Sequence, residues 1–287
     1  MPTAWLNGVF LPLEEAHVSV LDRGFLFGDG VYEVIPVYGG RLFRLAHHMK
    51  RLDNSLSGVR ITNPLTHEKW EAVLNELVAR NEGSDQAVYL KVTRGADKKR
   101  DHAFPDNIKP TAFAMSSPMP GARDLSKETG VTAITLPDIR WKLCNIKAIT
   151  LLPNVMLRQQ AVEAGSAEAI LINAGYAIEG AASNLFIVKN GIVITPPNSS
   201  ALLPGITRDL ILELAANNAI PFREADIHED ELFDADEVWL TSSTREISPV
   251  TSIDDKPVGT GSPGPLWQRM SVLYQDYANA VRRGEAE

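Results

Sequence analysis

From Gln86 to Thr93 the chain alternates strictly. Val88, Leu90 and Val92 share one face and Tyr89 and Lys91 the other, which predicts a strand with one buried side. Asn7-Gly8 between Ala4-Trp5-Leu6 and Val9-Phe10-Leu11 predicts a hairpin with a two-residue turn. Val31 to Tyr38 and Lys109 to Ser116 also read as strands. Helical spacing runs from Leu45 to Leu56, and again from Pro64-Leu65-Thr66 to about Asn81, where Trp70, Val73, Leu74 and Leu77 recur on one side. Ser116-Ser117-Pro118-Met119-Pro120-Gly121-Ala122-Arg123 is rich in breakers and lacks periodicity, so the domain boundary is expected there. The division is 1–117, a linker at 118–124, and 125–287.

The second part predicts strands at Val131 to Leu136, Ala167 to Asn173, Leu185 to Lys189, Ile192 to Ile194 and Glu237 to Thr241. Helices are predicted at about Pro153 to Ala164, ended by Gly165, then at Ile206 to Asn218 and at Pro265 to Arg283. Strands and helices mix without regular βαβ alternation, which favours an α+β fold.

The 287 residues suffice for two ordinary domains, and 44% hydrophobic with 22% charged residues is usual for a soluble globular chain. The formal charge of −8, from 28 basic and 36 acidic residues, argues against a nucleic-acid or acidic-membrane partner. No apolar run approaches the roughly 20 residues that span a bilayer. Met1-Pro2-Thr3-Ala4-Trp5 lacks the basic and apolar regions of a signal peptide. One cysteine, Cys144, allows no internal disulfide and reads as a small buried thiol. A cytoplasmic protein is expected.

The chemistry begins at Lys147. A lysine is ordinarily a solvated surface charge. This one lies between Trp141-Lys142-Leu143 and Ile149-Thr150-Leu151-Leu152, an apolar setting that would favour the neutral, nucleophilic amine. Glu179, after the turn at Gly175, is a carboxylate suited to a protonated pyridine nitrogen. Gly205-Ile206-Thr207 opens a helix whose free N–H groups and Thr207 hydroxyl suit phosphate. Ser242-Ser243-Thr244 offers a second such turn, and Arg51 could add a guanidinium. An amine, a carboxylate and two anion-binding turns together are what a pyridoxal phosphate site needs.

These blocks, with Asp22-Arg23-Gly24-Phe25-Leu26-Phe27-Gly28-Asp29-Gly30-Val31-Tyr32-Glu33, Glu179-Gly180-x-x-Ser183-Asn184-Leu185-Phe186 and Gly205-Ile206-Thr207-Arg208, resemble class IV aminotransferases. They span about residues 22 to 250. The resemblance implies fold type IV: a small N-terminal α/β domain, a larger C-terminal domain with a pseudo-barrel sheet, pyridoxal 5′-phosphate bound between them, and a homodimer. It implies that Lys147 forms a Schiff base with the cofactor and shuttles a proton. It implies that Glu179 pairs with the ring nitrogen, that Leu203 packs on the ring, and that Arg51, Ile206, Thr207 and Ser243 hold the phosphate.

Within the family, Arg100 and His102, with Tyr32, resemble the carboxylate trap of D-amino-acid aminotransferases. A guanidinium, an imidazole and a phenol can grip one carboxylate. The resemblance brings the Arg–His loop from the neighbouring subunit. The expected reaction is transamination between a D-amino acid such as D-alanine and a 2-oxo acid such as 2-oxoglutarate or pyruvate. Its rivals are a branched-chain L-amino-acid aminotransferase, an aminodeoxychorismate-lyase-like enzyme, and a non-catalytic binding protein on the same fold. Some D-amino-acid enzymes carry serines where this chain has Ala181 and Ala182. No metal site is expected. His47 and His48 are adjacent on a helix and point about 100° apart, so they cannot chelate and read as surface or core-edge histidines. Gly259-Thr260-Gly261-Ser262-Pro263-Gly264 lacks the lysine of a nucleotide-binding loop and reads as a flexible turn.

Overall fold

The computed structural model describes residues 1–119 and 129–287. The chain divides into two compact units. One holds Met1–Met119, Ile146–Leu151 and Ala278–Glu287. The other holds Leu152–Tyr277 with the described residues of 120–145.

The first unit contains β1 (Thr3–Leu6), β2 (Val9–Pro12), the short helix α1 (Arg23–Phe27), β3 (Gly30–Tyr38), β4 (Arg41–Leu42), α2 (Leu45–Gly58), α3 (His67–Ala79), β5 (Gln86–Thr93) and β6 (Thr111–Pro118). Its six strands form one antiparallel sheet in the order β2-β1-β6-β5-β3-β4. Asn7 and Gly8 both take positive φ, as the two-residue hairpin requires. The alternation in β5 buries Val88, Leu90 and Val92 against α2 and α3, with Leu52, Leu56, Trp70 and Leu74 completing the core. Ser116, Ser117 and Pro118 do not break the chain. They continue β6 opposite Val88, Ala87 and Gln86. Of the linker expected at 118–124, residues 118 and 119 belong to or follow this strand, and the rest lies outside the described residues.

The second unit contains β7 (Val131–Pro137), α4 (Leu152–Glu163), β8 (Glu168–Asn173), β9 (Tyr176–Gly180), β10 (Asn184–Lys189), β11 (Ile192–Thr195), α5 (Ile206–Asn217), β12 (Phe222–Glu224), β13 (Ile227–His228), β14 (Glu237–Ser242), β15 (Glu246–Ile253), β16 (Lys256–Pro257) and α6 (Pro265–Arg283), whose last residues count with the first unit. Strands β10, β14, β15, β7, β8 and β9 pair in succession, and β9 returns to β10 through Asn184 opposite Glu179, so six strands close into a ring. Isoleucine, leucine and valine from these strands, including Ile170, Leu185, Ile187, Val238, Leu240 and Val250, form its core. Glu237 accepts from the backbone N–H of Leu266 (2.9 Å) and Trp267 (2.8 Å), capping the start of α6 from a strand.

Two strands of the ring, and the short β12, β13 and β16 beside it, are absent from the sequence expectation. β9 is short and ends on glycine, and β15 carries Pro249 within it. Both gain their pairing from the ring rather than from local preference.

Candidate active site

Lys147 is placed by strand pairing. Segment Ile146–Leu151 runs beside β3. Val31 bridges Ala148, Tyr32 N–H donates to the Lys147 carbonyl at 2.9 Å, and Ile149 N–H donates to the Gly30 carbonyl at 3.0 Å. Lys147 N–H donates to Ser55 Oγ of α2 at 3.1 Å. Its Nζ lies 4.2 Å from the centre of the Tyr32 ring, a cation–π arrangement. The apolar flanks do not enclose it as expected: Trp141 is 44%, Leu143 46% and Leu152 70% exposed. The half-buried setting comes from β3 and α2. Gly30 is required there, since a Cβ would stand 2.6 Å from the Val92 carbonyl oxygen.

Successive side chains of a strand face opposite ways. Tyr32 therefore meets Lys147 and the Tyr89 ring, 5.7 Å away, while Glu33 is fully buried against α2. There Arg51 donates from Nε (2.8 Å) and Nη2 (2.6 Å) to the Glu33 carboxylate, which also bonds His48 Nδ1 at 2.8 Å. Burial alone would raise the Glu33 carboxyl, but the Arg51 charge and hydrogen bonds, aided by His48, hold it at about 2. Burial pushes the His48 imidazole below its ordinary value. His48 is fully buried, not a surface or core-edge residue, and its Nε2 has no hydrogen-bond partner among the described residues. His48, Arg51 and Ser55 recur at three- and four-residue intervals, a polar stripe within an amphipathic helix. That periodic signal was available in the sequence, but it does not name the partner Glu33 on β3, which sequence reasoning did not assign.

Arg100 and His102 are exposed and flank one ring. The Arg100 guanidinium is 5.1 Å and the His102 ring 5.1 Å from the centre of Phe27. Among the described residues no contact joins either to Tyr32, so the structure brings together two members of the expected trio and not the third.

In the second unit Glu179 is buried on β9. Arg140 donates to it through Nη1 while Nε and Nη2 grip Asp138 at 2.9 and 2.8 Å. Asn184 Nδ2 donates to Glu179 Oε2 at 3.1 Å, and Leu203 N–H reaches the same carboxylate at 3.2 Å. Burial raises the Glu179 carboxyl to about 7 against the pull of Arg140. Arg140 and Asp138 carry no signal toward Glu179 in the sequence, because they lie 39 or more residues from it, whereas Asn184 belongs to the same short block as Glu179. Cys144 is buried and its thiol is raised to about 11 by burial, as a structural thiol should be.

Gly205 is the N-cap of α5 and offers no side-chain cap. No described residue accepts from the N–H groups of Ile206, Thr207 and Arg208, although all three residues are buried. Helix α5 packs on β14, where the buried Thr241 hydroxyl also has no partner among the described residues. Ser243 is half-buried in the turn between β14 and β15. Leu203 is half-buried, its carbonyl accepting from Asn184 at 2.8 Å. Ala181 packs into the apolar cluster of Leu157, Ala161, Ala169 and Leu171, whereas Ala182 is exposed.

The family model described as amino-transferase class IV matches residues 30–253. A D-alanine aminotransferase of Bacillus licheniformis is 40% identical over 270 residues, covering 94% of this chain and 95% of the relative. The chain belongs to the class IV aminotransferases. A D-alanine aminotransferase of Staphylococcus haemolyticus is 38% identical over 280 residues, covering 96% of this chain and 98% of that one. Among solved structures, the branched-chain amino acid aminotransferase of Escherichia coli superposes with a TM-score of 0.90 at 28% identity, covering 100% and 96% of the two chains. A second branched-chain amino acid aminotransferase, solved with pyridoxamine 5′-phosphate, gives 0.91 at 29%, covering 99% and 96%. This class IV aminotransferase therefore has the fold type IV architecture expected, α+β with a closed six-stranded ring, and is a pyridoxal phosphate enzyme.

The residues present fit that cofactor. The unpaired N–H groups at the start of α5 and the unpartnered Thr241 hydroxyl suit phosphate oxygens. The buried Glu179 of the same unit suits a ring nitrogen that carries a proton.

Proposed function

We propose that this aminotransferase moves an amino group between a D-amino acid such as D-alanine and a 2-oxo acid such as 2-oxoglutarate or pyruvate. The observation that carries this reading is the pairing of Arg100 with His102 on the Phe27 ring, a guanidinium and an imidazole held together for one carboxylate. The D-alanine aminotransferases, 38% to 40% identical over nearly the whole chain, support it.

Pyridoxal phosphate supplies a carbonyl that captures amines and a ring that delocalises the electron pair left at Cα. Lys147 Nζ anchors the cofactor and moves the proton between Cα and C4′. Glu179 keeps the proton on the ring nitrogen, and the side chain of Leu203 packs against the ring. Ile206 and Thr207 bind phosphate oxygens through backbone N–H groups, joined by the Thr207 and Ser243 hydroxyls and by Arg51. Arg51 arrives pre-oriented by Glu33, so its guanidinium loses little freedom on binding. Tyr32, Arg100 and His102 take the substrate carboxylate. Arg100 and His102 sit away from Tyr32's contacts within one chain, which supports a homodimer in which the loop serves the neighbouring subunit. A single cysteine supports a cytoplasmic setting.

Incubation with D-alanine and 2-oxoglutarate should release pyruvate, with L-leucine turned over far more slowly. Preference for L-leucine would favour the branched-chain activity named for the solved relatives. Pyruvate released from aminodeoxychorismate, but not from D-alanine, would favour the lyase. Lys147→Ala should lose about 10²–10⁴-fold in rate, the range for a positioned proton-transfer group.

A further inference from the structure

The segment 97–110 that carries Arg100 and His102 contains no helix or strand. Its backbone carbonyls still need donors. Three successive ones, of Asp101, His102 and Ala103, converge on the buried guanidinium of Arg23. Nη1 donates to Asp101 O (2.5 Å) and Ala103 O (3.2 Å), and Nη2 to His102 O (3.1 Å). Nε donates to Asp29 Oδ2 at 2.8 Å. Arg23 N–H also donates to the Gly95 carbonyl at 2.8 Å, and Asp22 bridges Ala96. One residue therefore ties down the root of the loop with its backbone and the far side with its side chain.

The remaining partners steady this arrangement. Asp29 is shared with Arg94, which donates to it from Nε (2.7 Å) and Nη2 (2.9 Å) and stacks on Phe104 at 3.7 Å. The two guanidiniums outweigh the burial that would raise the Asp29 carboxyl, and hold it below its ordinary value. That negative charge offsets the repulsion between Arg23, Arg94 and the loop's own cations. Phe27, on the same short helix as Arg23, lies under the Arg23 guanidinium at 4.9 Å as well as beside Arg100 and His102.

We propose that Arg23 is a positioning residue for substrate specificity, presenting Arg100 and His102 by gripping the backbone between and beyond them, with Phe27 as the platform that sets their spacing. The inference rests on the reading of Arg100 and His102 as the carboxylate grip. Only arginine suits the position. Its planar fork offers five N–H donors in fixed directions, whereas a lysine ammonium offers three on a freely rotating stem.

The test is steady-state kinetics on the full-length, cofactor-loaded enzyme and its Arg100→Ala, Arg23→Met, Arg23→Lys and Phe27→Leu variants. KM for D-alanine, kcat, cofactor content and the inhibition constant of propionate, a bare carboxylate, are measured for each. Losing a charge-assisted carboxylate contact should raise KM and the propionate constant about tenfold or more in Arg100→Ala. Arg23→Met should raise both about tenfold, with kcat within about threefold and cofactor content unchanged, and Arg23→Lys should recover less than half of the loss on a logarithmic scale. Phe27→Leu should raise both about threefold or more, and it decides the matter if Arg23→Met does not fold. If Arg100→Ala has its effect while Arg23→Met, or Phe27→Leu in its place, leaves both constants within twofold, the positioning role is overturned and the carboxylate reading stands. If Arg100→Ala itself changes neither constant, the carboxylate reading fails and this inference with it. A fall in kcat and cofactor content without a change in the propionate constant would mark Arg23 as a folding residue only, and would also overturn the proposal.

Discussion

Asn184 and Glu179 face each other across the single residue pair that closes the six-stranded ring, and Asn184 Nδ2 donates to Glu179 Oε2 at 3.1 Å. The same amide reaches the Leu203 carbonyl at 2.8 Å. Asn184→Ala would leave a buried carboxylate oxygen and a carbonyl short of a donor. The expected cost is about 1–3 kcal/mol. It would be read as a lower urea midpoint of cofactor-free protein and faster loss of cofactor on dialysis. An unchanged midpoint would show that the bond contributes nothing to the closure.

Gly205 makes the same neighbourhood intolerant of a methyl group. A Cβ there would stand 1.9 Å from Asn184 Oδ1. Its φ of −77° is ordinary, so the obstacle is collision and not backbone strain. Gly205→Ala should displace the Asn184 amide, lower stability by about 1–3 kcal/mol and weaken cofactor binding. Fluorescence titration of the cofactor-free variant with pyridoxal phosphate would measure the second effect.

Glu179 should give the cofactor-free protein an uncommon pH response. Its folded-state pKa, about 7, is above the ordinary 4.5. Between those values the unfolded chain has released the proton and the folded chain keeps it. Stability therefore falls as pH rises from 4.5 to 7 and is level beyond, by a few kcal/mol in total. Glu179→Gln should flatten this slope in chemical denaturation series, while abolishing tight cofactor binding. A slope unchanged in the variant would assign the effect to another group.

Glu33 has the opposite sign. Its folded pKa of about 2 is below the ordinary 4.5, so its contribution is present above pH 4.5 and is lost as pH falls toward 2. Glu33→Ala would leave Arg51 buried without its carboxylate, at a cost of about 3–5 kcal/mol. The midpoint of thermal unfolding at pH 7 should drop, and the phosphate affinity of the cofactor-free enzyme should fall with it as Arg51 loses its orientation.

Local pattern carried much of the fold. The alternation of Gln86 to Thr93, the Asn7-Gly8 turn and the amphipathic helix Leu45–Gly58 are decided by neighbours in sequence, and periodicity shows them directly. Strand Glu246–Ile253 was illegible because Pro249 and the polar Ser248, Thr251 and Ser252 hide a strand that only its partners stabilise. The site divides in the same way. The start of Ile206–Asn217 could be read from one glycine and one threonine, and Asn184 lies five residues from Glu179, whereas the Arg140 contact to Glu179 joins residues 39 apart that only the folded sheet brings together. The setting of Lys147 was misread from its flanks because Trp141 and Leu143 face solvent, and its surroundings come from Tyr32 and Ser55, more than 90 residues away.

The pairing of Lys147–Ile149 with Gly30–Tyr32 has a consequence for how such a chain can vary. The lysine takes its register from the strand that carries Tyr32 and Glu33, not from the length of chain that leads to it. Insertions or deletions in the stretches before Asn145 or after Leu152 therefore leave the amine where it is, provided that the short paired segment is kept. The nucleophile behaves as a graft on the first sheet, its place set by the strand it pairs with.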